Sequence, residues 1–256
     1  MKFIRVNNGK LSTPVVQYRR GDSTITAIGV IHLGEKRYYH QVQKVLDSVS
    51  YGFYEGVRPV SDLNSVPEGR QKYLTQFASL SETYRTLATY FGLVAQKDNL
   101  AYADGWRNSD ITLDQLIVAS PEKVLKKFSR LPESMEKMRL YHEADPQALA
   151  RVVKGASMFM FKYLGLAITA MNWSWNKVIL DQRNQTLFKS LEPDLEKEDL
   201  GIIYGAGHLK GIDRYLRKNG FKQEGAEWLP AWELDQELSF SEALKRISTV
   251  QNKSKK

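Results

Sequence analysis

The 256-residue chain contains no cysteine. Disulfides, thiolate zinc ligands and a cysteine nucleophile are therefore excluded, and any metal must be held by nitrogen and oxygen donors. Histidine is scarce as well, with four copies, so a pattern that uses two of them carries weight. No apolar run at the start of this chain reads as a secretory signal, and a cytoplasmic or membrane-peripheral location is the expectation. Acidic charge is in deficit, and the net charge is +8. Five of those positive charges lie in residues 245–256, which hold no acid, and the remainder carries only +3. Such an end predicts a flexible basic tail. With no basic stripe in the body, no nucleic-acid partner is expected.

Long charge-free apolar runs are also few. Residues 155–175 are about long enough to span a bilayer, but they include Lys162 and Asn172, and a lysine near mid-membrane costs roughly 2.5–3.5 kcal/mol on insertion scales. The stretch is expected as a helix packed on the core or lining a rim, with Lys162 reaching solvent. The alternative reading of this stretch is an apolar or membrane-surface contact.

What is present is a repeated frame. Gly201-Ile-Ile-Tyr-Gly-Ala-Gly-His208 reads as an apolar strand, a glycine turn through Gly205 and Gly207, and a histidine opening a helix. Glycine there permits φ > 0 and close approach of the backbone to a bound group. Thr24-Ile-Thr-Ala-Ile-Gly-Val-Ile-His32 repeats the arrangement, with Gly29 and His32 in the equivalent places. Helical spacing over residues 38–49 and the run Tyr51-Gly-Phe-Tyr-Glu55 then complete a βαβ unit. A right-handed crossover places the second strand parallel to and near the first, with Glu55 close to His32. Segments 15–18 and 25–31 predict a hairpin about Arg20-Gly-Asp22. Further on, residues 71–95 have helical spacing, 100–104 suggest a short strand ending in Asp104, and Ser109-Asp-Ile-Thr-Leu113 looks like a capped helix start. Helices are expected through 121–191, with boundaries at Pro132 and Pro146. The predicted fold class is α/β: one domain over 1–244, its mixed sheet built from both ends of the chain, with a helical insert over about 67–191.

Two imidazoles and a carboxylate at strand ends suit a three-ligand metal site that keeps a position for water. His32, Glu55 and His208 are that set. Asp104 is a further ligand, a supporting carboxylate or a turn former. Nitrogen and oxygen donors fit Mn, Co, Zn or Fe. Either histidine alone reads as well as a partner for backbone groups; the repetition favours a site. Arg183 falls in a polar interruption of a buried helical face, where spacing favours a solvated position.

The paired turns Gly29-Val-Ile-His32 and Gly205-Ala-Gly-His208, with Glu55 after the first, resemble the TraB/GumN/Tiki family, itself more distantly similar to erythromycin esterase and ChaN-like proteins. Ala103-Asp104 followed by Asp110-Ile-Thr-Leu, and Asp181-Gln-Arg183-Asn184, add to the likeness. The resemblance implies a pseudo-symmetric α/β fold and, for the Tiki branch, metal-dependent proteolysis using these histidines and Glu55. It also makes Arg183 a site residue steadying a developing oxyanion, with Asn184, Gly29, Gly205 and Gly207 in support. The expected activity is a metal-dependent hydrolase of peptide or protein substrates. The alternative is a non-catalytic binder of a peptide or apolar ligand on the same fold, using the methionine-rich stretch 158–171.

Overall fold

The computed structural model of the protein describes residues 3–164, 177–234 and 236–253. Along the chain, β1 (Arg5–Asn7), β2 (Lys10–Arg20), β3 (Ser23–Val30) and a short β4 (Leu33–Gly34) lead into α1 (Lys36–Asp47) and β5 (Gly52–Tyr54). Next come α2 (Glu68–Ala78), α3 (Leu80–Tyr90), β6 (Val94–Ala95), β7 (Trp106–Asn108), α4 (Leu113–Ala119), α5 (Glu122–Ser129), α6 (Leu131–Ala144) and α7 (Pro146–Phe159). The last part holds α8 (Arg183–Leu191), β8 (Asp199–Gly205), α9 (Leu209–Lys218), β9 (Lys222–Glu233) and α10 (Phe240–Lys253).

The main sheet runs β1-β2-β3-β8-β5-β7, with β9 also paired to β2. β3, β8, β5 and β7 are mutually parallel, and β1, β2 and β9 are joined antiparallel. The protein is therefore mixed α/β, as the alternation of apolar runs and helical spacing predicts. The β2–β3 hairpin closes where expected, with Arg20 opposite Ser23. Its turn uses Gly21 at φ 57°, a left-handed conformation that glycine adopts without a Cβ penalty.

Strand period sorts the apolar side chains onto two faces. Ile25, Ala27, Leu200, Ile202 and Tyr204 pack with Leu187 and Leu191 of α8 and with Leu209, Ile212 and Leu216 of α9. Ile28, Val30 and Ile203 pack with Tyr38, Tyr39, Val42 and Leu46 of α1. Both faces are thus covered, which explains why β8 is an almost unbroken apolar run.

Several expectations change. β3 and β5 are parallel but not neighbours, because β8 from the far end of the chain lies between them. The insert is not purely helical, since β7 comes from within it and pairs with β5. The strand expected at 100–104 forms instead at 106–108. There the Trp106 ring lies over Gly201 and Gly52, where an added Cβ would meet it at 2.3 and 2.8 Å respectively. The basic end is not a frayed tail through residue 253: α10 packs on α7, with Ala243 and Ala148 fully buried beside Val152 and Ile247. Lys245 and Arg246 lie exposed on the outer side of this amphipathic helix, a pattern that charge counting alone does not separate from a tail.

Within 155–175, residues 155–159 complete α7 and 160–164 continue as a π-helical turn. Lys162 is exposed as expected, and Phe159, Met160 and Phe161 are exposed around it. Residues 165–175 lie outside the described residues. Among the described residues no helix is long and apolar enough to cross a membrane.

Candidate functional site

Three parallel strands, β8, β5 and β7, deliver their carboxyl ends to one place, the usual position for ligands on open α/β sheets. The chain past β5 and the chain past β7 stay side by side there: Arg58 and Thr112 form a parallel bridge, and the Arg58 N–H donates to the Ile111 carbonyl at 3.0 Å. Glu55 and Asp110 are thereby set as neighbours just beyond the sheet. α8 brings Arg183 and Asn184 over them, and His208 caps the start of α9.

Arg183 is the hub. Its Nε donates to Asp110 Oδ1 at 2.8 Å, and its Nη2 reaches both Asp110 Oδ2 and, at 2.6 Å, Glu55 Oε1. Asp110, with no exposed surface, is completed by the N–H groups of Gly56 at 3.0 Å and Ile111 at 2.8 Å. The other oxygen of Glu55 accepts the Gly205 N–H. Burial pushes the Glu55 carboxyl up, but the Arg183 guanidinium, joined by His208 and His32 when those rings are protonated, outweighs it and holds the group well below the usual carboxylate range. Burial likewise works against the Arg183 charge, and Glu55 and Asp110 reverse that and raise its pKa. Glu55 is consequently an anion near neutral pH and a weak proton acceptor, better suited to holding a positive centre than to general-base work.

His208 is 3% exposed. Its Nδ1 lies 2.8 Å from Asn184 Oδ1, while the Asn184 Nδ2 donates to the backbone carbonyl of His208 at 3.4 Å. That second bond fixes which way the amide points, so Nδ1 carries a proton and, in the neutral ring, the lone pair is on Nε2. Nε2 faces Glu55 Oε1 at 3.5 Å. Two electron-rich atoms opposed across this gap match neighbouring ligands of one cation, with the other imidazole nitrogen hydrogen-bonded in support.

The expected three-donor centre is not assembled, however. Among the described residues no three His, Asp or Glu side chains gather to hold an ion. His208 and Glu55 meet, and His32 stands apart. Its ring is exposed, its Nδ1 is 3.1 Å from Gln96 Oε1, and it rests 5.8 Å from the Tyr84 ring. When protonated it is still near enough to act on Glu55 by its charge. The reason is register: Gly29 pairs with Tyr204, not Gly205, so the two frames are one residue out of step, and one step along a strand changes face. One chain leaves toward α1 and β6, the other toward α9.

Asp104 is not in the site. It lies exposed in the turn before β7, at the opposite end of the strand from the cluster. The acid that the site does hold is Asp110, part of the Asp110-Ile-Thr-Leu segment already visible in the sequence. Arg183 is buried, so the solvated position suggested by spacing is overturned; the Arg183-Asn184 half of the polar interruption belongs to the cluster, while Asp181 and Gln182 are exposed. The glycines act by closeness rather than by φ, since neither Gly205 nor Gly207 is among the positive-φ residues. A Cβ at Gly205 would sit 3.1 Å from Glu55 Oε2, and one at Gly29 would sit 2.5 Å from Leu209. At Gly207 a Cβ would meet only ordinary contact, 3.5 Å from Leu180.

Fold and site together define a mixed α/β protein with a buried acid–arginine–histidine cluster at the carboxyl ends of its parallel strands. Residues 110–225 match the TraB/PrgY/gumN family, and this match supports assigning the chain to that family. The matched region includes Asp110, Arg183, Asn184 and His208, while His32 and Glu55 precede it. No curated protein matches the chain.

Proposed function

We propose that the protein is a metal-dependent hydrolase, acting on peptide substrates, with Glu55 and His208 at its centre. The observation that carries this reading is the Nε2 of His208 facing Glu55 Oε1 while Asn184 occupies Nδ1. A Mn, Co, Zn or Fe ion bound by that pair, with His32 as a further imidazole, would supply Lewis-acid activation of water. Asn184 holds the ring of His208 in place. Glu55 contributes a fixed negative charge, and the Gly205 N–H and Arg183 keep it ionised. Arg183, clamped by Asp110, offers a rigid positive group for charge that develops on a substrate carbonyl.

A second reading, the non-catalytic binder, is favoured by one feature: the charges of Glu55, Asp110 and Arg183 already satisfy one another within the folded chain. Calorimetric titration with each of the four divalent ions, alongside hydrolysis of a broad peptide library, separates the two. The hydrolase reading expects one ion per chain, at least ~10-fold weaker binding in His208→Ala, and turnover that depends on the ion. Absence of turnover with every ion, together with unchanged affinity in His208→Ala, would favour the binder.

A further inference from the structure

Gln96 grips His32 twice. Its backbone N–H donates to the His32 carbonyl at 2.9 Å, and its side-chain Oε1 lies 3.1 Å from His32 Nδ1. The grip is built by the two-residue ribbon of β4 and β6, which pairs Leu33 with Ala95. It is the carbonyl end of the amide, Oε1, that faces His32 Nδ1. Nearby, the Tyr102 ring is stacked at 4.1 Å on Tyr54, the residue before Glu55.

Asn184 treats His208 in the same way on the other side of the site, through Oδ1 on Nδ1 with its NH₂ held elsewhere. We infer that Gln96 is a positioning residue that selects the Nδ1–H tautomer of His32, as Asn184 does for His208, so that both imidazoles carry an unprotonated Nε2. The two histidine frames differ in burial and face, yet each has recruited a side-chain carboxamide to the same ring nitrogen. Its consequence for metal binding rests on the hydrolase reading; the tautomer does not.

Long-range ¹H–¹⁵N correlation of ¹⁵N-labelled protein at pH 8, where an ordinary histidine is neutral, reads the tautomer directly. His32→Gln assigns the signal by its loss. The expected result is Nδ1–H at His32 in the wild type and in Gln96→Glu, whose carboxylate still accepts. Gln96→Leu shifts the ring toward Nε2–H, the form imidazole prefers in water. Gln96→Ala, which also removes the acceptor, shifts it in the same direction and serves if Gln96→Leu does not fold. Nε2–H in the wild type, or Nδ1–H retained in both Gln96→Leu and Gln96→Ala, overturns the inference. Titration with Zn²⁺ alone tests the dependent claim: affinity falls roughly 10–100-fold in Gln96→Leu. A wild type that binds no Zn²⁺, Mn²⁺ or Co²⁺ defeats the hydrolase reading while the tautomer result still decides the role of Gln96.

Discussion

At the scale of single residues, the cluster behaves as one charged unit, and removing any member exposes the others. Asp110→Asn leaves Arg183 buried against an amide in place of a charged partner and is expected to cost about 3–5 kcal/mol in chemical denaturation. Asp104→Asn, in its exposed turn, should stay within about 0.5 kcal/mol. Equal effects from the two would mean that Asp110 does not hold Arg183. Glu55→Gln keeps shape but loses one charge-assisted bond to Arg183 and is expected to lower stability by about 2 kcal/mol. On the hydrolase reading it also weakens the hold on the ion and removes ~10–100-fold of the turnover. Arg183→Lys should lose a similar factor, because an ammonium cannot form the planar two-pronged contact with Asp110 while also reaching Glu55. Turnover of both variants at wild-type rate, measured at saturating ion, would leave the cluster a purely structural feature.

At the scale of elements, α10 is the place where a composition-based reading and the fold diverge. Ala243 has no exposed surface and Leu244 is 41% exposed. Ala243→Asp is therefore expected to destabilise by about 3 kcal/mol, and Leu244→Asp to be nearly neutral. Thermal melts of the pair decide between a packed helix and a loose basic end, which would tolerate both. α7 shows how local signals succeed. Pro146 opens the helix, and Asp145 accepts from the Ala148 N–H at 2.9 Å, so both a preset φ and a satisfied donor mark the start. The other expected proline boundary is met as well, with Pro132 in the first turn of α6.

For the molecule as a whole, two carboxylates make acid the weak side of its stability. Glu55 sits well below its ordinary value for the reasons given above. Asp114 is pushed up by burial but drawn down to about 2 by the Ser61 N–H and by the hydroxyls of Thr112 and Ser61. In both cases the folded chain binds the proton less readily than the unfolded chain. Their stabilising contribution is then fully present above the ordinary carboxylate range, roughly pH 4, and is lost as pH falls through the folded values toward about 2 for Asp114. Denaturation midpoints should be flat from pH 7 to 5 on account of these groups and should fall below pH 4. The fall should be shallower in Glu55→Gln, and an identical slope in that variant would remove Glu55 as a cause.

Local chemistry was enough to mark β2, β3, β5 and β8, the first helix, the capped start at Thr112 and the two glycine–histidine frames, because turn residues and apolar period act within a few residues of one another. The Asp181-Gln-Arg183-Asn184 segment was visible as well, although spacing alone assigned its arginine to solvent. Which acid joined the site was decided only when β7 paired with β5, which carried Asp110 to Glu55 and left Asp104 at the far end of the strand. The separation of His32 from His208 was decided by the insertion of β8 between β3 and β5 and by a one-residue offset between the two frames. Neither is written in the spacing of a single segment. Pairing order and register arise from contacts between residues far apart in the chain, Gly52 with Trp106 and Gly29 with Tyr204 among them, and a register change of one residue is enough to turn a side chain from one face of the sheet to the other.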